Sequence, residues 1–159
     1  MNGSLVETQP CEKYCVFERD SQVYGVLATS VQEVGLRPNI APVPDSHPML
    51  AGLGRVRNDF VPLLHAESQS TRTTRDSESQ VVVMMGDHGP WGLLVDNVVG
   101  IVPLEVSLCS ESHGTQGWSA AVMGAATTDG RVVQVLDERS LYRFSVSLFR
   151  QFWVSATAE

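Results

Sequence analysis

The residues of this chain best placed to do chemistry are four histidines, three cysteines and a closely spaced arginine pair. His47, His65, His88 and His113 occupy unrelated loop or strand-end contexts, and none has a second His or a carboxylate three or four residues on along a helix. No zinc-type cluster follows from that spacing. Cys11-x-x-x-Cys15 is half of a metal site with no second ligand pair, and zinc needs about four converging ligands, so it reads as an incidental pair. Cys109 and His113 lie four apart in a polar stretch that shows no means of excluding water, which a nucleophile and its base need. Gly52-x-Gly54 runs into Arg55-Val56-Arg57, without the Lys-Ser/Thr or third Gly of a phosphate cradle. Asp96 and Asp137 stand at element junctions, where capping suits them better than acid–base work. What remains is Arg55 and Arg57, alternating with Val56 and so expected on one exposed side. Arg is enriched in binding hot spots because its planar fork makes several directed bonds.

Composition narrows the classes further. The chain has 159 residues, 43% of them apolar, enough for one globular domain or two small ones. Lys and Arg total 11 against 18 Asp and Glu, and the deficit is even: 7 against 10 in residues 1–79, 4 against 8 in residues 80–159. A nucleic-acid surface needs a clustered basic face, so nucleic acid is not an expected partner. No apolar run approaches the roughly 20 residues that span a bilayer, and Met1–Pro10 is polar, so no direct membrane insertion is expected. An odd cysteine count in a chain able to bury a core suits a reducing compartment, and the expected location is cytoplasmic.

The elements that must position these residues are mostly strands. Tyr14–Arg19, Val23–Leu27, Phe60–Leu64, Val81–Met85, Trp91–Val95, Gly100–Leu104, Ala121–Ala126 and Val132–Leu136 are short runs rich in Val, Leu and aromatics, separated by turn residues. Leu27, Val31 and Val34 recur at helical spacing around a Ser30-x-x-Glu33 capping box with Gly35 following, which predicts one or two helical turns there. On that reading Val31 belongs to the apolar stripe and Glu33 closes the box. Asp137 is expected to cap a C-terminal helix with Leu141, Phe144, Leu148 and Phe152 on one face. Ala66–Gln80 holds one apolar residue in fifteen and reads as a flexible loop, and Ser110–Gly117 as a surface loop.

The two halves of the sequence resemble each other. Tyr24-Gly25-Val26-Leu27 with Val31 and Val34 has the spacing of Trp91-Gly92-Leu93-Leu94 with Val98 and Ile101, at an offset of 67 residues. Phe60-Val61-Pro62-Leu63-Leu64 matches Val132-Val133-Gln134-Val135-Leu136 at an offset of 72. Two matches in the same order point to a duplicated β unit of about 70 residues, near the size at which a lone core is marginal, so the copies should pack together.

These features, in order, resemble the CheW-like domain family. Tyr14-Cys15-Val16-Phe17, Tyr24-Gly25-Val26 and Val31-Gln32-Glu33-Val34 match the family's opening strand, aromatic-Gly dipeptide and Val-Gln-Glu-hydrophobic helix. Val43-Pro44 and Pro48-Met49-Leu50-Ala51-Gly52 follow as its Pro-containing segments. Arg55-Val56-Arg57-Asn58 and Phe60-Val61-Pro62-Leu63-Leu64 are similar to its Asn-Leu-Arg-Gly signature and the strand after it, with Arg55, Asn58 and His65 standing where the family has Asn, Gly and Asp. Trp91 to Val98 and Asp129 to Leu141 resemble its second-half blocks, so the likeness runs from about Tyr14 to Tyr142.

The resemblance implies a mainly β fold of two similar five-stranded β-barrel subdomains packed together, with short helices and a C-terminal helix. Residues 1–12 would be a polar tail, 13–65 the first barrel half, 66–80 a flexible loop, 81–136 the second half and 137–159 the helix and tail, with 13–159 forming one CheW-like domain. It implies a non-catalytic adaptor with no cofactor or metal, whose partners are the regulatory domain of a CheA-type histidine kinase and the cytoplasmic tip of a chemoreceptor. Val31, Glu33, Arg57 and Asn58 fall on its partner-binding positions. The alternatives are a small-molecule enzyme or sensor with a site between the barrels, a self-associating structural module, and a divergent scaffold for a non-chemotactic kinase.

Overall fold

The computed structural model describes residues 11–43, 49–66, 78–108 and 121–157, with side chains to residue 147. Met1–Pro10, the interior of the Ala66–Gln80 stretch, the Ser110–Gly117 loop, Pro44, Pro48, Cys109, His47 and His113 lie outside the described residues, as do the side chains of Leu148 and Phe152. Twelve strands and a helix follow in chain order: β1 (Glu12–Arg19), β2 (Gln22–Leu27), β3 (Val31–Leu36), β4 (Ile40–Ala41), β5 (Leu50–Val56), β6 (Asp59–His65), β7 (Gln80–Gly86), β8 (Gly89–Val95), β9 (Asn97–Leu104), β10 (Ser107–Leu108), β11 (Val122–Thr128), β12 (Arg131–Leu136) and α1 (Glu138–Thr157). Each of the eight strand segments expected from the sequence coincides with or overlaps one of these.

The strands form two sheets, ordered β10-β11-β12-β2-β1-β9 and β4-β5-β6-β8-β7-β3. Adding six to each strand number of the second sheet, modulo twelve, reproduces the first. The single parallel pairing of each sheet, β12 with β2 and β6 with β8, falls at the same place in both. The sheets do not follow the sequence halves at 13–65 and 81–136. Instead β1 and β2 join β9–β12, and β3–β6 join β7 and β8, so each repeat lends strands to both sheets. Each sheet has six strands where five were expected, and among the described residues no ladder joins its end strands into a closed barrel. β4 and β10, two residues each, are too short to leave a periodic signal in the sequence.

Matched residues of the repeat occupy equivalent positions. Gly25 faces Val135 across the β2–β12 pair, and Gly92 faces Leu63 across the β8–β6 pair. A Cβ at Gly92 would lie 2.7 Å from Leu63 Cδ2, and one at Gly25 would lie 3.3 Å from Val133 Cγ1. The aromatic-Gly dipeptides thus carry a large side chain for the core and, next to it, the close approach that the parallel pairing requires.

Apolar runs with no polar alternation mark strands buried on both faces. In β1, Tyr14 and Val16 enter a core enclosed by the first sheet while Cys15 and Phe17 enter a core shared by both sheets. In β7, Val81 and Val83 face a core enclosed by the second sheet, and Val82 and Met84 face the shared one. The shared core, with Phe17, Tyr24, Trp91, Leu93 and Leu136, fills the space between the sheets, and Leu141 of α1 closes it. Cys15 lies in this core, where burial pushes its thiol up to about 11. A thiol held protonated and enclosed resists alkylation. Iodoacetamide treatment of the native protein at neutral pH, followed by peptide mass mapping, is expected to modify exposed Cys11 and spare Cys15, which reacts once the chain is unfolded.

Two local expectations are corrected. Residues 27–35 do not form a helix: Ala28–Ser30 make a single 3-10 turn, and Val31–Leu36 form an edge strand on β7. The capping box does not close, because its two side chains are taken by distant partners. The Ser30 hydroxyl donates to Glu138 (3.1 Å), and Glu33 pairs with Arg57. β-branched Val31 and Val34 gain more from the sheet than from a short helix with no core of its own. The ends of the Ala66–Gln80 stretch are also built in, with Ala66 and Glu78 fully enclosed and Gln80 opening β7. Asp137 does begin α1: its carbonyl accepts the Leu141 N–H (3.0 Å) and its carboxylate accepts the Ser140 hydroxyl (2.7 Å).

A buried charge cluster accounts for those enclosed ends. Arg19, at the end of β1 and 1% exposed, donates Nη1 to Asp96 (3.0 Å) and Nε to the Ala66 carbonyl (3.2 Å), and its Nη2 lies 3.5 Å from Glu78. Glu78 also meets His65 Nδ1 at 2.7 Å and Arg37 Nη1 at 3.6 Å. One guanidinium from the first sheet therefore ties together the end of β6 and the approach to β7 in the second sheet and the β8–β9 link between the sheets.

Candidate partner-binding site

The β5–β6 hairpin turns on Arg57 and Asn58. Arg57 takes the positive φ (+57°), a conformation that L-residues other than Asn and Asp seldom adopt. Asn58, which replaces the family's Gly and whose side chain tolerates that region, is not among the positive-φ residues. The alternation that put Arg55 and Arg57 on one side stops at Val56, where β5 ends, yet both side chains are exposed.

Across from the turn, β3 carries a bulge between Val31 and Glu33. Bulges re-aim side chains at sheet edges. Glu33 reaches Arg57, with Oε1 2.9 Å from Nε and side chains 26% and 77% exposed. The ion pair lines a cavity of about 80 Å³ together with the apolar Val56, Val61, Val83 and Pro90 and the polar Gln32 and Asp59. That is well short of the roughly 300–1,000 Å³ of small-molecule pockets. The arrangement suits a flat contact with a directed charge pair at its rim rather than an enclosed ligand.

Of the four residues singled out in the sequence, the structure brings Glu33 and Arg57 into contact and leaves Asn58 exposed in the same turn. Val31 is half-buried and packs on the shared core instead of lining the cavity. Sequence reasoning passed over Phe60, which is 71% exposed and pairs with Arg55 across the hairpin. Its repeat equivalent, Val132, is also exposed, and each is the second residue of the strand that follows a hairpin turn. The signal was there in the repeat: an apolar residue directly after a polar turn in both copies. Val34 and Leu36 add exposed apolar surface along the free edge of β3.

The remaining candidates have structural partners. Asp96 accepts from Arg19 and from the Asp20 N–H (2.8 Å), His65 is bound to Glu78, and His88 Nδ1 lies 2.8 Å from the Tyr142 hydroxyl. Cys11 is exposed and Cys15 enclosed, so that pair does not converge on a ligand. On the first sheet, Glu18 accepts from Arg131 and from Asn97 (3.1 Å), and those bonds hold its carboxyl below the usual carboxylate range. No helix among the described residues is long and apolar enough to cross a membrane.

Known proteins share this architecture. The chemotaxis protein CheW of Thermotoga maritima is 23% identical over 122 residues, 76% of this chain and 81% of that protein. The crystal structure of the scaffolding protein CheW from Thermoanaerobacter tengcongensis superposes with a TM-score of 0.64 at 19% identity, covering 84% of this chain and 89% of that one, a likeness of fold. The CheW-like domain profile matches residues 13–144, from the start of β1 into the second turn of α1, the span that holds both sheets and the Glu33–Arg57 hairpin. The chain belongs to the CheW-like domain family.

Proposed function

We propose that this protein is a non-catalytic cytoplasmic adaptor that couples chemoreceptors to a CheA-type histidine kinase, binding the kinase's regulatory domain and the receptor's cytoplasmic tip. The observation that carries the reading is the Glu33–Arg57 ion pair, which joins the β3 edge to the exposed β5–β6 hairpin, at positions where the family resemblance places partner contacts. The hairpin offers a forked donor at Arg57 and an exposed aromatic side chain at Phe60, the residue types that dominate recognition surfaces. Glu33 holds the guanidinium in place before a partner arrives, which lowers the ordering cost of binding. Val31 anchors the start of β3 to the shared core, and Asn58 follows Arg57 in the turn. The separate cores enclosed by each sheet support a pair of barrel-like subdomains, each curled around its own interior. An adaptor of this kind acts by touching two states of a kinase differently, which shifts their populations without chemistry.

Arg57→Glu tests the reading. Binding of a cognate kinase regulatory domain or receptor hairpin fragment, measured by calorimetry, is expected to weaken by tenfold or more, about 1.4 kcal/mol, while the melting temperature stays within about 2 °C of the parent because the residue is exposed. Unchanged affinity for both fragments removes the hairpin from the interface, and loss of the fold makes Arg57 structural.

A further inference from the structure

A second surface, sharing no lining residue with the hairpin cavity, lies between the β7–β8 turn and the first turns of α1. It is a groove of about 590 Å³. The turn contributes Met85, Asp87 and His88, and α1 contributes Arg139, Tyr142 and Arg143. We propose that this groove binds an acidic, partly apolar peptide segment of a protein partner.

Charge identifies the occupant. Arg139 and Arg143 are exposed, one helical turn apart and so on the same face. Neither meets a carboxylate among the described residues, in a chain that carries 18 acidic residues against 11 basic ones. Glu138, which also lines the groove at the helix start, accepts the Ser30 hydroxyl and keeps its charge, so the occupant's carboxylates meet the cations along the helix at Arg139 and Arg143 and not at its start. Asp87, on the opposite wall, repels a segment that is acidic on both sides and so favours one with its carboxylates turned towards α1.

Hydrogen bonding fixes the base of the groove. The Tyr142 hydroxyl accepts the backbone N–H of His88 (3.0 Å) and lies 2.8 Å from His88 Nδ1. Two atoms of His88 thus meet one hydroxyl, which fixes the β7–β8 turn against α1. Tyr142 is held from behind by Trp91, ring centroids 6.0 Å apart. The wall is therefore set before a ligand enters. Met85, 54% exposed, provides the apolar contact for an aliphatic side chain between the carboxylates.

The test uses the full chain, isotopically labelled, with a short capped peptide of alternating Glu and Leu as the probe. NMR titration is expected to move the Arg139 and Arg143 Nε–H signals and the Met85 methyl together, and the matching Lys–Leu peptide to leave them in place. Arg139→Gln with Arg143→Gln is expected to weaken binding at least tenfold without changing the melting curve, and Arg139→Glu with Arg143→Glu to abolish it. Three results overturn the proposal: the double variants bind as tightly as the parent, the Arg55 and Arg57 signals move as far as those on α1, or inorganic phosphate at the same concentration produces the same shifts, which marks a small-anion site. Loss of peptide binding in Arg57→Glu alone also overturns it, by assigning the peptide to the hairpin.

Discussion

Glu78→Ala is expected to lower the unfolding free energy by about 3–5 kcal/mol, a large fraction of the stability of a domain this size. The side chain is fully enclosed and answers two cations and a histidine: Arg19 at 3.5 Å, Arg37 at 3.6 Å and His65 Nδ1 at 2.7 Å. Truncating it leaves the buried Arg19 guanidinium with Asp96 as its one carboxylate among these contacts, and Asp96 is itself partly open to solvent. A buried charge that loses its partner costs more than the pair contributed, because its desolvation is no longer offset. Arg19→Met combined with Glu78→Leu removes both charges together and is expected to cost clearly less than the sum of the two single changes. Urea unfolding of the parent, the singles and the double measures the coupling, with unchanged m-values showing that the denatured state is the same. Strict additivity would mean that Arg19 and Glu78 do not act as a unit.

The cluster also shows where sequence reading stops. Arg19 ends a strand and Glu78 sits in a stretch with one apolar residue in fifteen, so neither position carries a local sign of burial. They are buried because β1 belongs to one sheet and the approach to β7 to the other, a fact of topology that no local window contains. The same limit explains residues 27–35. Their spacing fits a helix, but their partner is β7, 44 to 53 residues away, and a short segment follows the sheet that can bury it. The repeat, by contrast, was legible because it lies in residue types that packing demands. Tyr24-Gly25 and Trp91-Gly92 must supply a core aromatic and a close approach, and they keep those types at matched offsets. What the repeat did not reveal is that the copies exchange strands. Pairing one copy's strands with its own or with its neighbour's leaves every side-chain preference the same. At the candidate site, Arg57 was legible as an exposed charged residue, whereas its contact with Glu33 depends on a bulge that breaks the period-2 pattern.

Trp91→Ala is expected to destabilise by about 3–5 kcal/mol, the range for truncating a large aromatic in a packed core. Trp91 is the largest fully buried side chain among the described residues and lies in the core shared by both sheets, so the cavity left behind cannot be filled by movement of one sheet alone. Its repeat equivalent Tyr24 is also buried and stacks on Phe17 with ring centroids 5.8 Å apart. Tyr24→Ala should therefore be costly too, but the consequences differ. Trp91 backs Tyr142, whose hydroxyl receives the His88 N–H, so its loss loosens the β7–β8 turn and α1 as well as the core. Amide exchange is expected to show weakened protection in α1 and at His88 for Trp91→Ala, and unchanged protection there for Tyr24→Ala once both are compared at equal global stability. Equal loss of protection in the two variants would mean that α1 is held by the core as a whole and not through Trp91. The comparison also separates fold from recognition. Arg57→Glu changes binding with the melting temperature intact, whereas Trp91→Ala can lose binding only by loosening the elements that carry the surface.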